Sequence, residues 1–397
     1  MAEPGDGALD GPRAWLQVAG AFSANFTTFG FLFSFGVFLT PIAETFGTTT
    51  APVAAVFSAM VFVYYLSGAL GGLVARRIGT RPVVAVGGAL FSLALIGGAR
   101  VSRLGLLHPF LALPVGMGIG GCYAPMIGAV GGWFERRRTQ AIAVVLTGVG
   151  GGTMIMPTVS RALIDAVGWR QAMTVIGIAG IAVFVFAAAV SAPSPTANAG
   201  PAPLPFSAPI AEPLFRRMYA SVVLMSPAFY APLAFLNDYA VDRGVATGRA
   251  AALVGLIGGA SVVARLFFGA VGDRVGAQRQ YRLSYLLMTS AIAMWIVAGP
   301  NLGLMAGAAV LHGVGWAAWV TATPGVLSRA FGLRELGAVL GLFYTALGFG
   351  GLIGPWLTGA LIDRSGFRAA IAFALVCAAL ATAVLATMPD DGGTSRA

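Results

Sequence analysis

The sequence predicts an all-α membrane protein with twelve transmembrane helices, arranged as two pseudo-symmetric six-helix bundles. Its 397 residues are 58% hydrophobic and 10% charged, whereas soluble domains contain about 25% charged residues. The mean hydropathy is +0.85. Twelve apolar runs are each long enough to cross a bilayer, and two sequence segments occur twice, once in each half of the chain.

The twelve apolar runs each approach the roughly 20 residues that a helix needs to cross the hydrocarbon core. The first six lie near residues 14–40, 52–75, 82–100, 108–132, 139–162 and 169–191. The other six lie near residues 217–240, 250–272, 282–299, 302–327, 335–361 and 367–388. Between the two sets, the stretch SAPSPTANAGPAPLPFSAPIAE is rich in Pro, Ala and Ser, which is typical of a flexible linker. The predicted domains are an N-terminal bundle at 1–190, a cytoplasmic linker at 191–215 and a C-terminal bundle at 216–397.

The two predicted bundles resemble each other in sequence. GLVARRIG, residues 72–79, matches GAVGDRVG, residues 269–276, at an offset of 197. ALIDAVGWR, residues 162–170, matches ALIDRSGFR, residues 360–368, at an offset of 198. Because six crossings is an even number, the two copies have the same orientation and form a parallel repeat.

The strongly basic charge is explained by membrane topology. The formal net charge is +10, and all 24 basic residues are arginine. With both chain ends placed in the cytoplasm, more arginines fall in the cytoplasmic loops than in the opposite ones, as the positive-inside rule requires. We therefore expect no nucleic-acid partner. The N-terminal stretch lacks the features of a cleaved signal peptide, and we expect a monomeric, multi-pass protein of a bacterial inner membrane.

The sequence indicates neither metal nor cofactor chemistry. Cys122 and Cys377 lie in different apolar runs, and neither has a CxxC or histidine-rich neighbourhood. GMGIGG, residues 116–121, formally matches a dinucleotide-binding pattern, but it lies inside a span without any βαβ context. A chain without lysine also cannot contain a GxxxxGK[ST] loop. We expect no metal, no cofactor and no enzymatic activity.

Arg265 is the charged residue that the sequence places deepest within a span. It belongs to the apolar run 250–272 and lies about 12 Å along the helix from Asp273. Burying an arginine at such a depth costs about 2.5 to 3.5 kcal/mol, so these residues usually face a cavity or a partner and mark function. We predict that Arg265 binds an anion; a structural arginine bonded to backbone carbonyls is the alternative.

The duplicated loop motif points to a family. In GAVGDRVG, glycines allow a tight turn, and Asp273 and Arg274 can pair with neighbouring helix ends. This motif, the twelve spans and the central linker resemble the major facilitator superfamily of transporters. The resemblance implies that Asp273 and Arg274, with Arg76 and Arg77 of the first copy, act in gating. Arg76 stands where the family usually has aspartate, so either Glu135 or another carboxylate supplies that contact, or the contact is weak.

Two further segments resemble one branch of that family. WFERRRTQAIAVVLTGVGGG, residues 133–152, and DGPRAWLQV, residues 10–18, are similar to segments of monocarboxylate transporters and the related oxalate/formate exchangers. In those families an arginine at the position of Arg265 binds the substrate carboxylate. The resemblance therefore implies a secondary transporter that works by alternating access. A channel and a multidrug exporter are the rival interpretations.

The number of basic residues within the spans limits the number of carboxylates that the predicted substrate can carry. A guanidinium binds a carboxylate through two parallel hydrogen bonds and repels a cationic drug. Oxalate exchangers, which resemble this chain, add a lysine in the eleventh span, but residues 336–355 contain no basic residue. We therefore predict that the substrate is a small organic monocarboxylate. An exporter of aromatic compounds and a carboxylate exchanger are the alternatives.

In this family, the first, fourth, seventh and tenth spans line the cavity. On the tenth, His312, Trp316 and Trp319 recur at helical spacing and share one face. On the fourth, Tyr123 matches a cavity tyrosine of the exchangers. The predicted substrate-binding set is completed by Asn25, Phe29 and Asn237. Core packing is the alternative interpretation for these three residues and for the two tryptophans, and His312 could instead donate a hydrogen bond to a backbone carbonyl.

The sequence constrains the driving ion of transport less than it constrains the substrate. Proton-coupled carriers that resemble this chain have an aspartate one turn before the arginine, where this chain has Ser261. His312 is then the best internal proton site, because imidazole titrates near neutral pH. Proton symport through His312 is our hypothesis. Exchange and facilitated diffusion, which need no proton site, are the alternatives.

Overall fold

The computed structural model describes residues 9–192, 207–332 and 336–387 of the protein. Within helices, the side chains of residues 69, 76, 139, 207–208, 269–274 and 336–338 lie outside this description. The regular elements of the described residues are all helical, and these ranges contain no β-strand. The predicted all-α class is therefore confirmed.

The helices follow the predicted spans closely, and we number them by crossing. The first six are α1 (Pro12–Phe46), α2 (Thr50–Ile78), α3 (Thr80–Gly98), α4 (Leu113–Gly132), α5 (138–167) and α6 (169–190). The last six are α7 (Pro213–Asp242), α8 (Thr247–Val275), α9 (Ala277–Ala298), α10 (Leu302–Phe331), α11 (336–365) and α12 (367–386). Before α7 the described chain also forms one short helical turn, Ser207–Ala211.

Two glycines divide long helical stretches into separate crossings. The apolar stretches Gln140–Val190 and Val339–Ala386 contain 51 and 48 residues, about 75 Å of helix at 1.5 Å per residue, more than twice the thickness of the hydrocarbon core. Gly168 and Gly366 interrupt them with φ angles of 80° and 77°. Glycine alone adopts such angles without strain. The ten apolar helical stretches found in the described residues therefore provide twelve crossings.

The chain divides into two compact units. Among the described residues, 9–48 and 59–192 belong to the first unit, and 49–58, 207–332 and 336–387 belong to the second. Residues 49–58, at the start of α2, thus belong to the second unit, and the rest of α2 belongs to the first. Most of the predicted linker, residues 193–206, lies outside the described residues, so its flexibility stays a prediction.

In the first unit, α1 and α5 approach each other closely because glycines face one another. A Cβ atom at Gly152 would lie 2.9 Å from the backbone nitrogen of Gly30. The core beside this contact is aromatic, with the rings of Phe31 and Phe91 5.9 Å apart and edge-on. The substitution of either glycine would therefore separate the two helices.

At one end of the first unit, the two segments that carried the family resemblance contact each other. Asp10 has a φ of 57°, a left-handed conformation that aspartate tolerates better than most residues. Its carboxylate accepts hydrogen bonds from the N–H groups of Glu135, Arg136 and Arg137 at 3.3, 3.1 and 3.1 Å. Its own N–H donates to the Trp133 carbonyl at 3.1 Å. The aspartate thus holds the segment that leads into α5 and fixes the entry to α1.

These hydrogen bonds predict a pH-dependent stability. The N–H of Arg136, followed by those of Arg137 and Glu135, stabilises the ionised carboxylate and lowers the pKa of Asp10 below its ordinary value of 3.8. A carboxyl group with a lowered pKa stabilises the fold above pH 3.8 and loses that contribution as the pH falls through the folded-state value. We expect Asp10→Asn to lower the unfolding temperature at pH 7. The difference from wild type should shrink below pH 3.8, as measured by thermal unfolding in detergent.

Asparagine also tolerates the left-handed conformation, so this variant removes the charge without adding backbone strain. Asp242→Asn, at the exposed end of α7, is the matched control. An equal destabilisation by both variants, or an effect of Asp10→Asn that persists at low pH, would contradict the prediction.

Candidate functional site

The candidate site in the second unit depends on the close packing of α8 against α10. Ala264 and Phe268 of α8 form a buried cluster with Ala317 and Ala318 of α10. One turn away, Gly313 allows the backbones to approach, because a Cβ atom there would overlap the carbonyl oxygen of Ile257. It would also lie 3.0 Å from the Cβ of Ala260. Small residues thus set the distance between the helices that carry Arg265 and Trp316.

Arg265 and Trp316 contact each other across these two helices. The guanidinium carbon of Arg265 lies 5.9 Å from the centre of the Trp316 ring, within the range of a cation–π interaction. Arg265 is partly exposed, whereas Trp316 is 6% exposed. A permanently charged group is therefore held against an aromatic surface within the apolar stretch of α8, Thr247–Phe268.

Phe229 of α7 joins the predicted residues of α10 into one aromatic cluster. Its ring lies 5.3 Å from Trp316, 6.0 Å from Trp319 and 6.3 Å from the imidazole of His312, edge-on in each case. The structure thus brings together the three predicted residues of α10 through a residue that the sequence analysis did not select. Helix α7 is apolar on nearly all sides, so no polar face in its sequence shows which way Phe229 points.

His312 and Ser261 are buried polar residues near this cluster. His312 is 1% exposed and Ser261 is fully buried. The imidazole lies near the Phe229 carbonyl, but neither of its nitrogens has hydrogen-bond geometry with any described residue, and the same holds for the Ser261 hydroxyl. Because burying polar groups without partners is costly, these two residues are suited to accept a partner that arrives during function.

Asn237 lies outside the aromatic cluster. It is eight residues from Phe229 on α7, about 12 Å along the helix. Its side-chain amide donates to the neighbouring Asp238 carboxylate at 2.9 Å. A role in substrate binding stays a prediction.

In the first unit, Tyr123 of α4 belongs to a second aromatic cluster. Its ring lies 5.2 Å from Phe29 and 6.2 Å from Tyr64, and the Phe29 and Tyr64 rings are 5.4 Å apart. Tyr64 of α2 is the member that the sequence analysis missed. Asn25, one turn before Phe29, instead donates to the Val145 carbonyl of α5 at 3.5 Å. The bond gives Asn25 a packing role, and its contact with substrate stays a prediction.

The predicted gating residues are only partly described. The side chains of Arg76, Asp273 and Arg274 lie outside the described residues. Arg77 and Glu135 are exposed, and the backbone N–H of Glu135 is bonded to Asp10. Their gating role stays a prediction.

Twelve crossings, with sequence segments that occur in both halves of the chain, are typical of a large class of membrane transporters. The family comparison agrees, because the Major Facilitator Superfamily model matches residues 21–301 and 260–396. The chain belongs to that superfamily and, within it, to the monocarboxylate-transporter branch.

The relatives support this assignment along most of the chain. Mouse monocarboxylate transporter 11 is 30% identical over 379 residues, which is 91% of this chain and 83% of the relative. Human monocarboxylate transporter 11 is 28% identical over 379 residues, 91% of this chain and 79% of the relative. The predicted absence of enzymatic activity is confirmed, since the family and these relatives are transporters.

A solved structure shows the same fold. The crystal structure of a bacterial homolog to the human lysosomal transporter Spinster, in an inward-facing and occupied conformation, aligns with a TM-score of 0.74. The alignment covers 93% of this chain and 95% of that one at 15% identity. At this identity the similarity concerns the fold alone.

Proposed function

We propose that the protein is a secondary active transporter that moves a small organic monocarboxylate across the membrane by alternating access. The observation that carries the proposal is the Arg265 guanidinium 5.9 Å above the Trp316 ring, within the membrane-spanning helix α8. The monocarboxylate transporters among the relatives support the substrate class.

An organic anion suits Arg265 for electrostatic reasons. The guanidinium stays charged at every physiological pH and offers a carboxylate two parallel hydrogen bonds. The carboxylates that the structure describes in the second unit belong to helix ends: Glu212, Asp238, Asp242 and Asp363. A carboxylate brought by the substrate would therefore add negative charge at a depth where the described chain supplies none.

The cation count favours one carboxylate rather than two. Among the arginines within the described residues, Arg265 is the one that lies ten or more residues from both ends of its helix. A dicarboxylate bound there would leave its second charge uncompensated in a poorly hydrated site, which is costly. The Trp316, Trp319 and Phe229 rings would instead contact the apolar part of a monocarboxylate.

We also propose that both chain ends lie in the cytoplasm of a bacterial inner membrane and that the protein acts as a monomer. The orientation rests on the excess of arginines in the loops on that side. For proton symport we propose His312 as the proton site, because it lies beside the aromatic cluster and both of its nitrogens lack hydrogen-bond partners among the described residues.

The proposal can be tested by uptake into proteoliposomes with an inward proton gradient. We expect saturable uptake and counterflow of monocarboxylates such as pyruvate, 2-oxoisovalerate or phenylpyruvate, and weak uptake of oxalate. Export of neutral aromatic compounds without any carboxylate transport would favour the multidrug exporter. Strict one-for-one exchange, without net uptake, would favour the carboxylate exchanger.

The same assay tests proton coupling with His312→Gln, which keeps a polar side chain but cannot carry a proton. We expect this variant to lose the stimulation of uptake by the proton gradient, measured as the ratio of its uptake with and without the gradient. His108→Gln, at the other histidine of the chain, is the matched control. Equal proton dependence in His312→Gln and wild type would reject the symport hypothesis without affecting the substrate class.

A further inference from the structure

Three hydroxyl groups are buried together between α7 and α9 of the second unit. Tyr281 and Tyr285 lie one turn apart on α9, and each is at most 1% exposed. Their rings are 5.4 Å apart and their hydroxyl oxygens 3.4 Å. The Tyr285 hydroxyl also lies 2.9 Å from that of Ser221 on α7, which is fully buried. Because a buried hydroxyl without a partner is costly, these groups depend on one another.

The direction of each hydrogen bond follows from counting protons. A hydroxyl group has one proton to donate. Ser221 donates its proton to the Met218 carbonyl at 2.7 Å, so Tyr285 must be the donor in the bond to Ser221. Tyr281 is then the donor to the Tyr285 oxygen. We call this series the hydrogen-bond chain; it leads from α9 to the backbone of α7 and leaves the Tyr281 oxygen as an acceptor.

Trp319 of α10 supplies a donor to this chain. Its ring centre lies 6.4 Å from that of Tyr281, and its indole interacts with the hydroxyls of both Tyr281 and Tyr285. An indole N–H can only donate, and a buried one usually has a partner. Trp319 is 3% exposed. Trp295 of α9, in contrast, is a buried tryptophan whose N–H has no partner among the described residues.

Helix α9 also holds the backbone of α10 on both sides of Trp319. Gln280, the neighbour of Tyr281, is 2% exposed. Its side-chain amide donates to the Ala318 carbonyl at 3.1 Å and to the Thr321 hydroxyl at 2.6 Å. The amide has two protons, so both bonds form at once. Gln280 thus fixes the turn of α10 that carries Trp319, and the hydrogen-bond chain acts on its side chain.

Trp319 connects the hydrogen-bond chain to the aromatic cluster of the candidate site. Its ring lies 6.0 Å from Phe229, which in turn contacts Trp316. On α11 the rings of Phe343 and Tyr344 lie 6.2 and 6.0 Å away. A hydrogen bond is directional, so the bond at the indole N–H selects one ring orientation. A rotated indole would present a different surface to the cluster.

We propose that Tyr281, Tyr285 and Ser221 are positioning residues that hold the Trp319 indole in one orientation. They thereby set the size of the apolar group that the transporter accepts beside the carboxylate, and this selectivity rests on the proposed function. A fixed indole keeps the aromatic surface rigid and favours small monocarboxylates. An indole released from the hydrogen-bond chain could turn aside, so a larger aromatic acid would fit better.

The orientation of the indole can be measured without any transported solute. The seven tryptophans are replaced with 5-fluorotryptophan, and the fluorine NMR signal that is missing in Trp319→Phe belongs to position 319. We expect Tyr281→Phe to shift and broaden this signal, because the indole loses its acceptor. Tyr285→Phe and Ser221→Ala remove later bonds of the chain and should act in the same direction but more weakly.

Transport measures the selectivity itself. We expect Tyr281→Phe to change the ratio of Vmax/KM for phenylpyruvate to that for pyruvate about three- to tenfold in favour of phenylpyruvate, as for the loss of one buried hydrogen bond. In a Trp319→Phe background the same substitution should leave the ratio unchanged, because no indole N–H remains to be positioned. A merely structural role of Tyr281 would act in both backgrounds.

Tyr239→Phe is the matched control, because it also removes a hydroxyl from a buried tyrosine. Tyr239 is 2% exposed, donates to the Gly299 carbonyl at 3.4 Å and packs on Trp295. It should leave the Trp319 signal and the uptake ratio as in wild type.

The proposal is overturned if Tyr281→Phe and Tyr239→Phe give the same signal and the same ratio, or if the effect of Tyr281→Phe persists without the indole. If Tyr281→Phe does not fold, Tyr285→Phe and Ser221→Ala are judged by the same criteria. An unchanged Trp319 signal with normal carboxylate uptake rejects the positioning role alone. A shifted signal without any carboxylate uptake rejects the proposed function and the selectivity, but leaves the positioning of the indole intact.

Discussion

Replacing Arg265 with alanine should reduce monocarboxylate uptake about 30-fold or more, because the substrate then carries its charge into the site without a partner. Removing one member of a desolvated, hydrogen-bonded charge pair typically costs about 2 to 5 kcal/mol, and about 1.4 kcal/mol corresponds to a factor of ten. Arg265→Lys should retain part of the activity, since it keeps the charge but loses the two parallel hydrogen bonds. Initial rates of uptake into proteoliposomes over a range of concentrations measure both effects.

The control for Arg265 is an arginine on the same helix that lies away from the aromatic cluster. Arg249 is exposed near the start of α8, and Arg249→Gln should leave uptake within about twofold of wild type. Thermal unfolding shows whether each variant is folded. If a folded Arg265→Ala still transported carboxylates at the wild-type rate, the anion-binding role would be rejected. If it also exported neutral aromatic compounds, the multidrug exporter would be the better interpretation.

The second large effect is expected from Gly313→Ala, a substitution that adds one methyl group between α8 and α10. That methyl would overlap the Ile257 carbonyl oxygen and press on the Cβ of Ala260, and backbone atoms cannot move aside as a flexible side chain can. Overpacking of this kind typically costs about 1 to 3 kcal/mol. Because the shift would also displace Trp316 from Arg265, we expect lower thermal stability together with reduced uptake.

Gly341→Ala provides the matched control on α11. A Cβ atom at Gly341 meets no described atom within 4 Å, so this substitution should have a neutral or stabilising effect, through the helix propensity of alanine, of up to about 1 kcal/mol. The two variants are therefore expected to change the unfolding temperature in opposite directions or by clearly different amounts. Equal unfolding temperatures would show that α8 and α10 tolerate a wider separation than the packing indicates.

The helices were predicted accurately because the bilayer sets their length, and each apolar run can be recognised from its own segment of the sequence. The seventh span was expected near 217–240 and α7 extends from Pro213 to Asp242. Arg265 was also identifiable from its own segment, since the cost of burying its charge does not depend on its neighbours. The shared face of His312, Trp316 and Trp319 follows from helical spacing alone, and all three contact Phe229.

Contacts between helices were harder to predict. Phe229 and Tyr64 lie in helices that are apolar on nearly every side, so hydrophobic periodicity does not show which face is turned inward. Asn25 and Asn237 were candidates for substrate binding because polar groups within a span need partners. The partners that the structure shows, the Val145 carbonyl and the Asp238 carboxylate, belong to the protein itself.

The sequence by itself determined that twelve helices cross the membrane, that the chain is a duplicated transporter, and that Arg265 is its deep charge. These properties depend on the length, hydropathy and charge of single segments. Only the tertiary structure decided that Asp10 holds the segment before α5, that Phe229 joins the α10 residues, and that Tyr64 joins the cluster of Phe29 and Tyr123. Each of these contacts depends on two helix surfaces at once, and surfaces of nearly uniform hydrophobicity do not encode their partners in sequence.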